Sequence, residues 1–343
     1  MTTRRMRAAT AALVVVLALV AAACGKDKPA TTGTGASTKT SGNTIKLGFS
    51  AWPGWFPWQV ADEKGFFAKA GLKVDLTWFE GYLDSLNALA GGKLDANTQT
   101  LNDTISSVAG GSEQVIVLVN DNSTGNDQII VGPDVKTIAD LKGKKVAAEQ
   151  GTVDHYLLLL GLQKAGLTPS DVSFQPLETG AAAAAFASGR LDGVGVFAPF
   201  TTSALKRSGS HALFTSADFP GAIPDHLVVS KSLVDKRPAD VQKLVNVWYE
   251  TLSWIKSNHD EAVKIMAKRA GVSVADYESY DKGTTIFTLQ QNLDAFAPGS
   301  DISHLDFAAK KISDFLLSVK LVDKAPDLTG MLDDTFVKAA KSP

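Results

Sequence analysis

Three of the six tryptophans, Trp52, Trp55 and Trp58, fall within ten residues, SAWPGWFPWQ, at 50–59. Rings gathered this densely do one of two things. They lock a helix onto the core, or they wall a ligand site whose aromatic faces attract positive charge. Pro53-Gly54 sets Trp52 and Trp55 on a loop, which favours a pocket, whereas Trp58 stands at helical spacing from Trp55 and reads as core. Catalytic chemistry has few candidates. The five histidines (155, 211, 226, 259 and 304) are scattered without zinc-ligand spacing, and the single cysteine is Cys24. There is no nucleophile elbow and no Gly-x-Gly-x-x-Gly fingerprint. Asn120-Asp-Asn-Ser-Thr-Gly125 lacks both the first acid and the closing glutamate of a calcium loop. The expectation is neither an enzyme nor a holder of metal or cofactor.

The first residues speak of export. Arg4, Arg5 and Arg7 form a basic region ahead of an apolar run at 8–23 that is short for a bilayer span, so 1–23 reads as a signal peptide. Sec export is the default, with Arg4-Arg5 as a weak twin-arginine alternative. Cys24, in Val20-Ala-Ala-Ala-Cys-Gly25, resembles the lipidated cysteine of a bacterial lipobox; the alternative is ordinary cleavage with a spare thiol. A Thr/Ser/Gly-rich tract follows, so 24–43 reads as a lipid-anchored flexible linker. Losing the leader's three arginines and no acids takes the formal net charge from −2 to −5. Such a chain has no basic footprint for nucleic acid.

The remaining chain must position the rings. Thr44–Phe49 and Val74–Phe79 alternate as strands, and Leu83–Ala90 has helical spacing ended by Gly91-Gly92. Strands at 94–98, 115–120 and 128–131 alternate with a helix near 102–108. A second round begins near Thr137, with helices at 152–165 and 181–188 and strands at 194–197 and 227–230. Gly-x-Leu-Asp recurs in both rounds, as Gly92-Lys-Leu-Asp95 and Gly189-Arg-Leu-Asp192. The alternation predicts an α/β fold of two lobes, with open mixed sheets and helices on both faces. Lobe 1 is expected at 44–131 and 228–343, and lobe 2 at 132–227, with two chain crossings.

Gly65-Phe-Phe-Ala-Lys-Ala-Gly-Leu-Lys-Val74, Leu86–Asp95, Leu141–Val146 with Gly151–Leu157, and Ala182–Phe200 together resemble the solute-binding proteins of nitrate/sulfonate/taurine-type ABC importers. The resemblance covers Lys46 to about Glu250. It implies a periplasmic-binding-protein-like fold that closes on a small solute and hands it to a permease and its ATPase, acting as a monomer at the outer face of the cytoplasmic membrane. A cousin enzyme family on the same fold uses a pyridoxal cofactor and a cysteine-rich iron motif, which a chain with one cysteine does not reproduce. An alternative of another class is a lipoprotein sensor or adhesion module.

In open α/β sheets, ligands sit beyond the carboxyl ends of strands. That places the cleft on 50–55, 82–85, 98–104, 126–128, 150–155 and 197–201, segments without one lysine or arginine. The candidate ligand-binding residues are Trp52, Trp55, Tyr82, Asp84, Asn102, Asp103, Asp127, Gln150, Thr152, Asp154, His155 and Phe197. Acids with aromatic faces suit a small nitrogenous cation, guanidinium or a related amine or amide. The alternative is an anion such as an aliphatic sulfonate, taurine or nitrate, which helix N-termini accommodate. Each acid also has a bland reading: Asp84, Asp103 and Asp154 as first-turn acids, Asp127 as a surface residue of a crossing. His155 is either a ligand partner or a structural imidazole.

Overall fold

The computed structural model describes residues 44–341; the expected signal peptide, the linker and Cys24 lie outside the described residues. The strands are β1 (Ile45–Phe49), β2 (Val74–Trp78), β3 (Ala96–Thr100), β4 (Gln114–Ser123), β5 (Asp127–Val131), β6 (Lys145–Ala148), β7 (Ser173–Pro176), β8 (Gly193–Phe197), β9 (His211–Thr215), β10 (Pro224–Ser230) and β11 (Thr284–Ile286). They build two sheets, ordered β11-β4-β10-β3-β1-β2 and β7-β6-β8-β5-β9.

Each sheet has a parallel half, β2-β1-β3 in one and β7-β6-β8 in the other. Next to each parallel half lies the strand that the chain lays down on arriving from the other sheet. β5 runs antiparallel to β8 and β9, and β10 antiparallel to β3 and β4. The crossings therefore fall at 124–126 and 216–223: the first is one strand earlier than the sequence-based boundary at 131/132, and the second just before β10, within which the boundary at 227/228 falls. β5 is an apolar strand that follows β4 in sequence, but its pairing partners, β8 and β9, belong to the second sheet.

The repeated Gly-x-Leu-Asp does the same work twice. Asp95 Oδ2 accepts from the Lys46 amide at 2.9 Å at the start of β1, and Asp192 Oδ2 from the Lys145 amide at 2.8 Å at the start of β6. Each turn thus ties a helix exit to its lobe's leading strand.

β3, Ala-Asn-Thr-Gln-Thr, is polar yet wholly buried. Its amide donors are paired: Asn97 donates to Ser85 Oγ at 3.1 Å, and Gln99 to Thr104 Oγ1 at 2.9 Å and Gln114 Oε1 at 2.7 Å, while Asn97 Oδ1 and Thr98 Oγ1 are left without partners. Trp58, in helix Pro57–Glu63, is fully buried against Trp248 and Phe67, with ring centroids 4.8 and 6.0 Å away. It is the core tryptophan of the three.

Candidate functional site

The loop after β1 carries Trp52 and Trp55 over the carboxyl ends of the strands. Gly54 makes this possible: a β-carbon there would lie 1.9 Å from Asp121 Oδ2 on β4. Trp52 Nε1 donates to Asp121 Oδ1 at 2.9 Å, which fixes the indole. Helix Tyr82–Ala90 supplies Tyr82, whose hydroxyl accepts from the Thr100 amide at 3.0 Å. Phe197, the last residue of β8, arrives from the second lobe.

These four rings form a closed circuit. Centroid separations are 6.4 Å for Trp52–Trp55, 5.3 Å for Trp55–Tyr82, 6.2 Å for Tyr82–Phe197 and 6.3 Å for Phe197–Trp52. Inside lies a gap of about 10 Å³, also lined by Thr100, Val153, Asp127 and Asp225. That is room for no more than about one water molecule, so a solute needs these walls to move apart. A larger cavity of about 310 Å³ lies between β4, β11 and helix Leu289–Phe296. Its only charged lining residue is Asp294, and it holds neither the ring circuit nor the acid cluster.

Six carboxyls from both lobes are buried around the ring circuit: Asp103, Asp121, Asp127, Glu149, Asp154 and Asp225, none more than 5% exposed. Burial raises every one, and neighbouring carboxyls add to the rise for all but Asp127. Asp103, Asp127 and Glu149 are pushed up to about 7, and Asp121 to about 8. Asp154 and Asp225 are also raised, by burial first and then by neighbouring carboxyls. Local hydrogen bonds satisfy only part of the set. Thr100 Oγ1 and Asn102 Nδ2 donate to Asp103 at 2.7 and 2.8 Å, and Thr179 Oγ1 donates to Asp154 at 2.8 Å. One oxygen each of Asp121, Asp127, Asp154 and Asp225 is buried without a partner, as is Asn102 Oδ1. On the donor side, Trp55 Nε1 is unpartnered. Among the described residues, no group of His, Cys, Asp or Glu is arranged to hold a metal ion.

Of the sequence-based candidates, Trp52, Trp55, Tyr82, Asp127 and Phe197 line the cavity. Asn102, Asp103 and Asp154 are buried behind it. Thr152 is buried with its hydroxyl donating to the Glu149 carbonyl at 3.0 Å. Three candidates are placed elsewhere. Asp84 and Gln150 are exposed. His155 stacks on Phe174 at 4.3 Å and accepts from the Gly151 amide at 3.3 Å; burial lowers it to about 4, so it is a neutral structural imidazole.

Asp121, Asp225 and Glu149 were missed. Asp121 sits in the stretch weighed only as a calcium loop, and Asp225 just before an apolar run. The available signal was an acid at the end of an apolar strand, in β4 for Asp121, just past β6 for Glu149 and at the start of β10 for Asp225.

Two hinged α/β sheets with a chamber at their carboxyl ends define a periplasmic-binding-protein fold. The chain matches the NMT1-like family over residues 38–271, more than half its length, and belongs to that family. A binding protein of Brucella abortus is 28% identical over 245 residues, covering 70% of this chain and 76% of that one. The taurine-binding periplasmic protein of Escherichia coli is 29% identical over 249 residues, covering 68% and 76%. The crystal structure of the Escherichia coli periplasmic aliphatic sulphonate binding protein superimposes with a TM-score of 0.71 at 24% identity, covering 86% of this chain and 93% of that one.

Proposed function

We propose that this chain is the extracytoplasmic solute-binding component of an ABC importer, and that its solute is a small nitrogenous cation of the guanidinium, amine or amide kind. The importer role is supported by the family, the fold and the binding-protein relatives, which also speak against an enzyme. In this reading the partners are a permease and its ATPase, and a lipid on Cys24 holds the protein at the membrane surface.

One observation carries the cation: two unpartnered carboxylate oxygens, Asp127 Oδ2 and Asp225 Oδ2, line a four-ring cage with no lysine, arginine or histidine in its wall. Ring faces contribute about 0.5–2 kcal/mol each toward a cation. An ionised carboxylate about 4 Å from an anion costs roughly 4 kcal/mol at an effective dielectric of 20.

The second reading is an anion, and the relatives named for taurine and aliphatic sulphonate favour it. Protonated carboxyls and Trp55 Nε1 are the donors that an anion would use. A thermal-shift screen of the mature protein with guanidinium, small amines and urea against taurine, alkanesulfonates and nitrate separates the two. A solute at a hundred times its dissociation constant stabilises by about 2.7 kcal/mol. A shift with sulfonates alone would remove the cation and leave the importer role standing.

A further inference from the structure

The six carboxyls outnumber anything the chamber offers them. Asp121 on β4 and Asp225 on β10 are direct cross-strand partners, both buried, and each has a carboxyl oxygen without a partner. Like charges placed directly across strands are destabilising, and a proton on either carboxyl relieves that repulsion. Asp127 on β5 faces the same cavity, while Asp103 and Asp154 approach from the first turns of their helices. Glu149 follows β6 and completes the ring of acids from the second lobe.

The other titratable groups packed on the cluster bring no positive charge. Tyr82, on helix Tyr82–Ala90, is held neutral by burial. His226, the residue after Asp225, is lowered to about 3 by burial and is neutral. Asp84 and Glu178, at the rim, are further acids that repel Glu149. A buried set of this kind cannot be fully ionised while the lobes are shut on an empty chamber.

We propose that the shut, solute-free chamber holds protons on this carboxyl cluster, and that a captured cation displaces them into solvent, so that capture strengthens with rising pH and acidification favours release. The proposal rests on the cation reading above. Nothing is oxidised or transferred: each displaced proton passes to water or buffer, and the solute's positive charge takes its place. In the window where the carboxyls titrate, around pH 7, each proton displaced makes affinity change by about tenfold per pH unit.

The test mixes the mature protein at pH 7 with saturating guanidinium chloride in weak buffer containing an indicator dye, with binding followed separately by calorimetry. The expected result is acidification by roughly one proton per bound cation, and affinity that rises between pH 5.5 and 8. Binding without acidification and with constant affinity overturns the proposal while the cation reading survives. Should guanidinium fail to bind, that reading fails for this probe, and melting of the solute-free protein decides the proton loading. A melting temperature that falls steadily from pH 5.5 to 8.5 upholds it, and a flat profile overturns it.

Discussion

Asp121 and Asp225 lie opposite each other on antiparallel β4 and β10, both buried and each with a carboxyl oxygen that has no partner. Like charges placed directly across strands are destabilising, so a proton on one member stabilises the pair. An unfolded Asp titrates near 3.9, and both members titrate higher when folded. Their contribution is therefore complete at acid pH and is lost as pH rises through the folded values. Asp225→Asn keeps a donor toward Asp121 while removing one charge. At pH 8.5 the variant should be more stable than the parent by about 1–2 kcal/mol, the worth of roughly one pKa unit, and at pH 5 the two should match. Urea unfolding at both pH values checks this; equal destabilisation at both would mean that the pair has an unrecognised compensating partner.

Phe197 is the one ring that the second lobe lends to the cage, edge-on to both Trp52 and Tyr82. It reports on closure as well as on contact. Phe197→Leu keeps apolar bulk but removes the π face. A cation should then bind about 3- to 30-fold more weakly, the equivalent of 0.5–2 kcal/mol, with little change in melting temperature. Calorimetry with guanidinium measures it. An undiminished affinity would make the ring packing rather than recognition.

Two carboxyls face helix starts in the opposite lobe. The backbone at Val153 and at Leu83 draws down the otherwise raised pKa values of Asp103 and Glu149. The first amides of a helix are unsatisfied within it, so each carboxyl favours the closed arrangement of the lobes. Glu149→Ala should shift the solute-free protein toward an open form and speed solute release several-fold. Small-angle scattering and stopped-flow dissociation provide the readouts. An unchanged radius of gyration together with an unchanged release rate would assign Glu149 to local structure alone.

Local signals carried the architecture. The repeated Gly-x-Leu-Asp turns and the strand–helix alternation pointed to two similar lobes, because both are short-range properties of the chain. Trp52, Trp55 and Tyr82 were legible for the same reason: a Pro-Gly loop and a helix start sit next to strand ends. Asp121 and Asp225 were hidden because their meaning arises from register between strands far apart in sequence. The boundary error at β5 has a similar origin, since sheet membership depends on pairing partners and not on the apolar run itself. His155 and Asp84 show the converse failure. They stand beside cavity-lining residues in sequence, but helical periodicity turns His155 onto Phe174 and Asp84 outward.

Asp127 and Asp154 carry unequal expectations, although both are buried acids with one unpartnered oxygen. Asp127 lines the cavity, and its carboxyl receives local support from Ser123 alone. Asp154 stands behind the lining and accepts from Thr179 at 2.8 Å. A solute cation therefore meets Asp127 directly and feels Asp154 only through space. Truncating one member of a buried, hydrogen-bonded charge pair costs about 2–5 kcal/mol, so Asp127→Asn should weaken cation binding by roughly 30-fold or more. Asp154→Asn should weaken it less, because the lost carboxyl is more distant and burial already disfavours its charged form. If the solute is instead an anion, the order reverses in sign: Asp127→Asn would tighten binding by removing the nearest repulsion. Titrating both variants with guanidinium and with taurine gives four affinities. A tighter taurine complex for Asp127→Asn, with no response to guanidinium in any form, would move the chamber from cations to sulfonates.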